Sequence, residues 1–80
     1  MDKQSWTVVN NTLVKEFEFT DFKAAVDFIN RVAVVAEKQN HHPDILLHSY
    51  KHVKITLSTH SKNKVTEKDY ALAEMIDKLL

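Results

Sequence analysis

One alternating stretch near the end of the chain limits the possible folds more than any other feature. In HVKITLSTH, residues 52–60, apolar and polar side chains alternate. Successive side chains of a β-strand point to opposite faces of a sheet, so the stretch predicts a strand with one buried face. That face would carry Val53, Ile55, Leu57 and Thr59. Strands with one wet face are typical of antiparallel sheets.

Three other segments have the composition of strands. SWTVV (5–9) and TLVKEFEF (12–19) flank Asn10 and Asn11, and asparagine tolerates the left-handed backbone of tight turns. The two segments are therefore predicted to form a hairpin. DILLHSY (44–50) is predicted to be a short strand before the alternating one.

Two segments between and after these strands have helical spacing. The first is predicted to begin with Thr20 as N-cap and Asp21 in the first turn, and to run to about Lys38. Its apolar stripe comprises Phe22, Ala25, Val26, Ile29, Val32, Ala33 and Ala36. The second is predicted to begin with a capping box formed by Thr66 and Asp69. Its stripe comprises Leu72, Met75, Ile76 and Leu79.

The order of these elements is ββαββα, which indicates an α+β fold. We expect residues 1–80 to form a single domain, a four-stranded antiparallel sheet with the helices packed on one face. A second apolar row on the first helix, made of Ala24, Phe28 and Val35, lies away from the main stripe. This row predicts either partial exposure or a contact between subunits. A chain of 80 residues buries little surface, which also favours a homo-oligomer.

The composition excludes several classes of function. The chain has no cysteine, so disulfides and thiolate ligands are excluded, and no glycine, so a glycine-rich phosphate loop is excluded. Acidic and basic residues number 11 each, which argues against direct nucleic acid binding. The apolar runs are too short to span a membrane, and the start of the chain lacks a signal-peptide core. We therefore expect a soluble, cytoplasmic protein.

The histidines are the main candidates for chemistry. His41 and His42 directly precede Pro43, the only proline, at the corner between the first helix and the third strand. Proline biases the preceding residue toward an extended backbone, so the two neighbouring side chains should point apart. If 44–50 pairs with 52–60, His60 comes near the same corner. Three imidazoles are then predicted near one edge of the sheet.

Three interpretations of this group follow from the residues alone. Imidazoles transfer protons near neutral pH without a cofactor, which suits acid–base catalysis. Three histidines also suit zinc, although no HxH or HxxxH spacing links them. The third interpretation is ordinary polar surface, which we favour for His48 and His52. Asp69 is explained as a helix cap, and its carboxylate could also point into a site across from His60.

The motifs that carry these residues resemble the pterin-4a-carbinolamine dehydratase family. The resemblance rests on EKQNHHPDI (37–45), VKITLSTH (53–60) and VTEKDYALA (65–73), with an aspartate nine residues after the Thr-His pair. The family usually carries a glycine in the loop before the last helix. Asn63 stands in that region here, and asparagine can take a left-handed conformation at modest cost.

The resemblance implies both a reaction and roles for the residues. Family members dehydrate 4a-hydroxytetrahydropterin to the quinonoid dihydropterin, which recycles the cofactor of aromatic amino acid hydroxylases, and they use no metal or other cofactor. His41 and His60 would be the acid–base pair, and Asp69 would orient or tune the site. His42, with Pro43, would bind the pterin substrate. The 4a-hydroxyl leaves more easily when it is protonated, and the proton on N5 must depart; two imidazoles can do both.

The resemblance also implies a hypothesis of a different class. Animal members stabilise dimers of a homeodomain transcription factor, so a transcription-factor partner is possible for a small interaction module. Beyond the row that contains Phe28, the sequence offers little support for this role. The family resemblance also favours assembly of the chain as a dimer or tetramer.

Overall fold

The fold follows the predicted order ββαββα. The computed structural model describes residues 5–59 and 61–80. Its elements are β1 (Thr7–Val9), β2 (Thr12–Glu18), α1 (Phe22–Gln39), β3 (Asp44–His48), β4 (His52–Leu57) and α2 (Glu67–Asp77). The four strands form one sheet in the order β1-β2-β4-β3, and every neighbouring pair is antiparallel. The predicted fold class is confirmed.

Short left-handed turns build both hairpins. Asn10 and Asn11 have φ angles of 50° and 64° and connect the paired residues Val9 and Thr12. Two residues with positive φ match the twist of the flanking strands, which explains the asparagine pair. β3 pairs with β4 from Asp44, opposite Thr56, to the turn between the strands. The beginning of β3 therefore lies beside the end of β4.

The core lies between the sheet and the two helices. Val53, Ile55 and Leu57 of β4 are fully buried, so the predicted alternation holds over this strand. Leu57 lies opposite Leu13 of β2, and Val53 lies opposite Phe17. One continuous cluster joins these side chains to buried residues of both helices: Ala25, Phe28, Val32, Leu72, Ala73 and Ile76. Both helices thus cover the same face of the sheet.

The sequence predictions for α1 were wrong in two respects, beginning with its N-cap. Asp21, and not Thr20, caps the helix, because the Asp21 carboxylate accepts a hydrogen bond of 2.8 Å from the amide of Ala24. An aspartate at this position satisfies a free amide and also places negative charge at the positive end of the helix dipole.

The second correction concerns Phe28, which is only 4% exposed. Its ring lies 4.9 Å from the rings of both Phe17 and Phe19, measured between centroids. Phe22, which belongs to the predicted stripe, is 55% exposed instead. Apolar residues occur around much of α1, and the aromatic rings at the end of β2 determine which side is buried. Phe28 is therefore a core residue and not a subunit contact.

The second helix is anchored at both ends. The predicted capping box of Thr66 and Asp69 is confirmed at its beginning. Near its end, Asp77 accepts hydrogen bonds from Lys15 Nζ at 2.8 Å and from Trp6 Nε1 at 3.1 Å. These contacts fix α2 against β2. Within the described ranges, neither helix has the length and apolar character that crossing a membrane requires.

Candidate active site

The end of α1 directs His41 toward the second helix. Asn40 has left-handed dihedrals (φ 52°, ψ 41°) and ends the helix. The amide of His41 then donates a hydrogen bond of 3.1 Å to the carbonyl of Ala36, which is the wide bond of a Schellman motif. Asparagine takes this conformation more readily than most residues. The reversal turns the chain back at the residue where the histidine pair begins.

The central contact of the site joins His41 to Asp69. His41 Nε2 lies 2.6 Å from Asp69 Oδ1. The side chain of His41 is 13% exposed, whereas that of Asp69 is completely buried. Solvent therefore reaches this pair only at the imidazole of His41. The Asp69 carboxylate lies beneath the ring of His41, and its other oxygen is part of the helix cap.

Asp69 serves the helix and the site at the same time. Its Oδ2 accepts a hydrogen bond of 2.9 Å from the amide of Thr66, which completes the capping box. The same oxygen accepts a bond of 3.0 Å from the hydroxyl of Thr59. Hydrogen bonds that ionised groups accept are the strong ones, and this carboxylate has a donor on each side. Its two expected roles, cap and site residue, are therefore compatible.

This network determines which nitrogen of His41 carries the proton. Oδ2 of Asp69 accepts two hydrogen bonds, as an ionised carboxylate does, and an ionised carboxylate has no proton to donate to the ring. Nε2 of His41 is therefore the N–H donor. In the neutral ring, Nδ1 then holds the free lone pair. Among the described residues Nδ1 has no hydrogen-bond partner, so this nitrogen is available to accept a proton.

His42 has a different partner from His41. Its Nε2 lies 2.7 Å from Glu37 Oε2, and both side chains are largely exposed. Pro43 is half-buried. The structure thus brings together His41 and Asp69, while His42 makes a separate contact with the last turn of α1.

His60, the second expected catalytic histidine, lies outside the described residues. The pairing of Asp44 with Thr56 fixes the register of β3 and β4 beside the corner where the three histidines were predicted to meet. The convergence of His60 with His41 and His42 stays a prediction.

Sequence reasoning missed the hydrogen bond by which the Thr59 hydroxyl supports Asp69. Thr59 is 7% exposed and lies 2.6 Å from the hydroxyl of Thr66, measured between the Oγ1 atoms. A signal was available, because Thr59 continues the buried face of the alternating stretch. A buried hydroxyl almost always has a hydrogen-bond partner, so its position pointed to a polar contact inside the fold.

Residues 62–64 make backbone hydrogen bonds with Thr59. The amide of Thr59 donates to the carbonyl of Lys64 at 2.9 Å, and the amide of Asn63 donates to the carbonyl of Thr59 at 2.7 Å. Asn63 has a φ of 55°, so asparagine does adopt the left-handed conformation expected here. An open cleft of about 340 Å³ borders Thr59 and Thr66. This volume lies at the lower end of the range for small-molecule sites.

The other two described histidines lie at the opposite end of β3 and β4. His48 Nε2 is 3.0 Å from Glu16 Oε2, and the ring of His48 stacks on that of His52 with centroids 5.2 Å apart. Both rings are half-buried and lie beside the carboxylate of Glu16, so they are more ordered than side chains on an ordinary polar surface. In residues 5–59 and 61–80, no three metal-ligating side chains are grouped so that they could hold an ion.

Comparison with known proteins connects this geometry to a family. The family described as Pterin 4 alpha carbinolamine dehydratase matches residues 1–79. The chain belongs to the pterin-4-alpha-carbinolamine dehydratase family. The resemblance carried by the histidine and aspartate motifs is thereby confirmed.

Individual members of the dehydratase family are similar over most of their length. A protein of Prochlorococcus marinus (strain NATL2A), provisionally named a pterin-4-alpha-carbinolamine dehydratase, is 47% identical over 76 residues, which are 95% of this chain and 79% of the relative. A crystal structure of a transcriptional coactivator/pterin dehydratase from Brucella melitensis has a TM-score of 0.83 and 35% identity, and the match covers 96% of this chain and 81% of that one.

A more distant structure shares the fold alone. It is described as a pterin dehydratase-like protein that is a RuBisCO assembly factor in the alpha-carboxysome, with a TM-score of 0.75 and 24% identity. The match covers 98% of this chain and 89% of that one. The dehydratase fold thus also occurs in a protein that is described as an assembly factor.

Proposed function

We propose that the chain catalyses the dehydration of 4a-hydroxytetrahydropterin to quinonoid dihydropterin, as part of the recycling of the pterin cofactor of aromatic amino acid hydroxylases. The observation that carries the proposal is the 2.6 Å contact between His41 and the buried carboxylate of Asp69. It supplies an imidazole with a fixed orientation and one accessible nitrogen. Membership of the dehydratase family supplies the substrate class.

The direction of the hydrogen bonds supports a role for His41 as the base. Neutral His41 would accept the N5 proton of the substrate at Nδ1, and the Asp69 carboxylate would stabilise the resulting imidazolium through Nε2–H. His60 would give a proton to the 4a-hydroxyl, which leaves as water. One proton is taken from N5 and one is delivered to the hydroxyl, so the catalyst needs only to be reset by exchange with water. Each positioned imidazole contributes roughly 10²–10⁴-fold to the rate.

The decisive assay is stopped-flow dehydration of freshly made 4a-hydroxytetrahydropterin with and without the protein. We expect acceleration by the protein, unaffected by a metal chelator, and a loss of about 10²-fold or more for His41→Ala and for His60→Ala. His52→Ala is the matched control, because it lies at the far end of β4. If chelator abolished the activity, or if His41→Ala and His52→Ala behaved alike, the acid–base assignment would be wrong.

The pH dependence distinguishes the base from the acid. A base must be deprotonated, so His41 would govern the limb of the profile that rises with pH. An acid must be protonated, so His60 would govern the limb that falls. His41→Ala should therefore flatten the rising limb and His60→Ala the falling one. The opposite pattern would exchange the two roles.

A second candidate function is binding of a protein partner such as a transcription factor. It is favoured by the similarity to the Brucella melitensis protein, which is called both a transcriptional coactivator and a pterin dehydratase. The two functions are separable by His41→Ala. This change should abolish dehydration while it leaves the outer faces of the helices intact. A purified chain with no dehydratase activity and with retained partner binding would favour the interaction role.

We also propose that the chain assembles as a homo-oligomer, a dimer or a tetramer. Its small size and the exposed apolar side chains of Phe22 and Val34 on α1 support this proposal. Val34→Asp tests it better than a change at Phe28, because Val34 is 58% exposed and its replacement spares the core. Sedimentation of the wild type as a strict monomer at high micromolar concentration would contradict the proposal.

A further inference from the structure

We propose that Thr59 is a positioning residue: its hydroxyl holds the Asp69 carboxylate in the orientation that sets the protonation of His41. This inference rests on the proposed dehydration, because it concerns the same site. The observation behind it is a continuous series of hydrogen bonds that runs from the beginning of α2 to the imidazole of His41.

The direction of every bond in the series follows from the inventory of donors. An ionised carboxylate only accepts, so the single hydroxyl hydrogen of Thr59 must point to Asp69 Oδ2, 3.0 Å away. The hydroxyl of Thr66, 2.6 Å from Thr59 Oγ1, must then donate to Thr59. Thr66 Oγ1 in turn accepts from the amide of Lys68 at 3.3 Å. Each group in the series thus donates to the next, and the last acceptor is Asp69.

In this series the hydroxyl of Thr59 orients the carboxylate of Asp69, in addition to the packing of its side chain. Asp69 Oδ2 has two donors, the amide of Thr66 and the hydroxyl of Thr59. Two fixed donors on one oxygen hold the carboxylate plane, so that Oδ1 faces His41 Nε2. Without the hydroxyl, only the amide of Thr66 holds Oδ2, and the carboxylate can rotate away from the ring. The imidazole would then lose its fixed tautomer.

The backbone around Thr59 supports this role. Thr59 accepts hydrogen bonds from the amides of Lys62 and Asn63 and donates its own amide to Lys64. These three contacts fix Thr59, two residues after the end of β4, independently of its side chain. Replacement of the hydroxyl should therefore change the polar contact and leave the loop in place.

The test compares two substitutions that each change one group of the threonine side chain. Thr59→Val removes the hydroxyl and keeps the shape, while Thr59→Ser keeps the hydroxyl and removes the methyl group. Loss of a hydrogen bond to a charged group should lower kcat of Thr59→Val by about 10-fold or more, with little change in KM. Thr59→Ser should retain most of the activity. Thr56→Val, on the opposite face of β4, is the matched control and should behave as the wild type.

A spectroscopic measurement shows whether the effect passes through His41. The ¹⁵N chemical shifts of the imidazole nitrogens report the tautomer, and those of His41 should change in Thr59→Val and not in Thr59→Ser or Thr56→Val. In an Asp69→Asn background, Thr59→Val should have a smaller effect on kcat than in the wild type, because the two residues act together. Thr59→Ala serves if the valine variant does not fold.

Either of two results overturns the proposal. The first is wild-type kcat and unchanged His41 resonances in folded Thr59→Val or Thr59→Ala. The second is equal impairment of the serine and valine variants, which would assign the role to the methyl group. If the wild-type chain had no dehydratase activity, the proposed function would fail, and the His41 resonances would still decide whether Thr59 sets the tautomer.

Discussion

Replacement of Asp69 by asparagine should reverse the tautomer of His41 with almost no change of shape. The amide group of Asn has one accepting oxygen and one donating nitrogen. Two donors, the amide of Thr66 and the hydroxyl of Thr59, face the Oδ2 position. The oxygen of Asn should take that position, so that its nitrogen faces His41 Nε2. That ring nitrogen must then accept, and the proton of neutral His41 moves to Nδ1.

The expected loss of activity is large because the base disappears. A neutral imidazole with its proton on Nδ1 cannot accept the N5 proton at that nitrogen, which should cost about 10²-fold or more in kcat. The cost in stability should leave the fold intact. Charge-assisted hydrogen bonds become neutral ones, and the favourable charge at the helix beginning is lost, for a total of roughly 1–3 kcal/mol. A domain with a stability of about 5–15 kcal/mol remains folded after such a change.

The assay combines stopped-flow dehydration with thermal unfolding and ¹⁵N spectra of the histidine rings. Asp77→Asn is the matched control, since it replaces an aspartate on the same helix that binds Lys15 and Trp6. It should lower the melting temperature and leave kcat unchanged. The reasoning would be refuted if Asp69→Asn kept kcat within about threefold of the wild type while folded, or if the tautomer of His41 stayed the same.

Three further changes test the core, the substrate contact and a surface ion pair. Phe28→Ala should lower the free energy of unfolding by about 3–5 kcal/mol in chemical denaturation, because the ring packs between two aromatic neighbours; a loss below about 1 kcal/mol would contradict its burial. His42→Ala should raise KM and leave kcat nearly unchanged in steady-state kinetics, with a weaker effect for Glu37→Gln; a fall in kcat alone would contradict a role in binding. A hydrogen bond from Lys51 holds the pKa of the Glu18 carboxyl below its ordinary value, so this group stabilises the fold at neutral pH and loses that effect as the pH falls through the lowered pKa. Glu18→Gln should therefore lower the melting temperature slightly at pH 7 and leave it unchanged once the pH is below the lowered pKa of Glu18; an equal shift in both pH ranges would exclude the ion pair as the cause.

Features that depend on neighbours in the sequence were predictable from it. The alternation of Val53, Ile55 and Leu57 gave the buried face of β4, since side-chain direction in a strand depends only on parity. The turn at Asn10 and Asn11 follows from the low cost of positive φ for asparagine. The capping box at the beginning of α2 is equally local, because its two partners lie within one turn of helix.

Features that depend on packing between elements were not predictable in this way. Apolar residues surround much of α1, so its sequence allowed several buried sides, and the rings of Phe17 and Phe19 selected the side of Phe28. Asp21 displaced Thr20 as the N-cap, because both residue types can cap a helix and they stand at adjacent positions.

The candidate site combines both kinds of information. The residue types and their spacing marked His41 and Asp69 as candidates, and the family resemblance implied their roles. Only the tertiary structure buried the carboxylate beneath the ring and joined it to the hydroxyl of Thr59, ten residues away in the chain. These contacts link the end of one helix to the beginning of another across the end of a strand. Sequence determined which groups are present, and packing determined which proton each of them holds, because hydrogen-bond direction depends on neighbours that only the fold brings together.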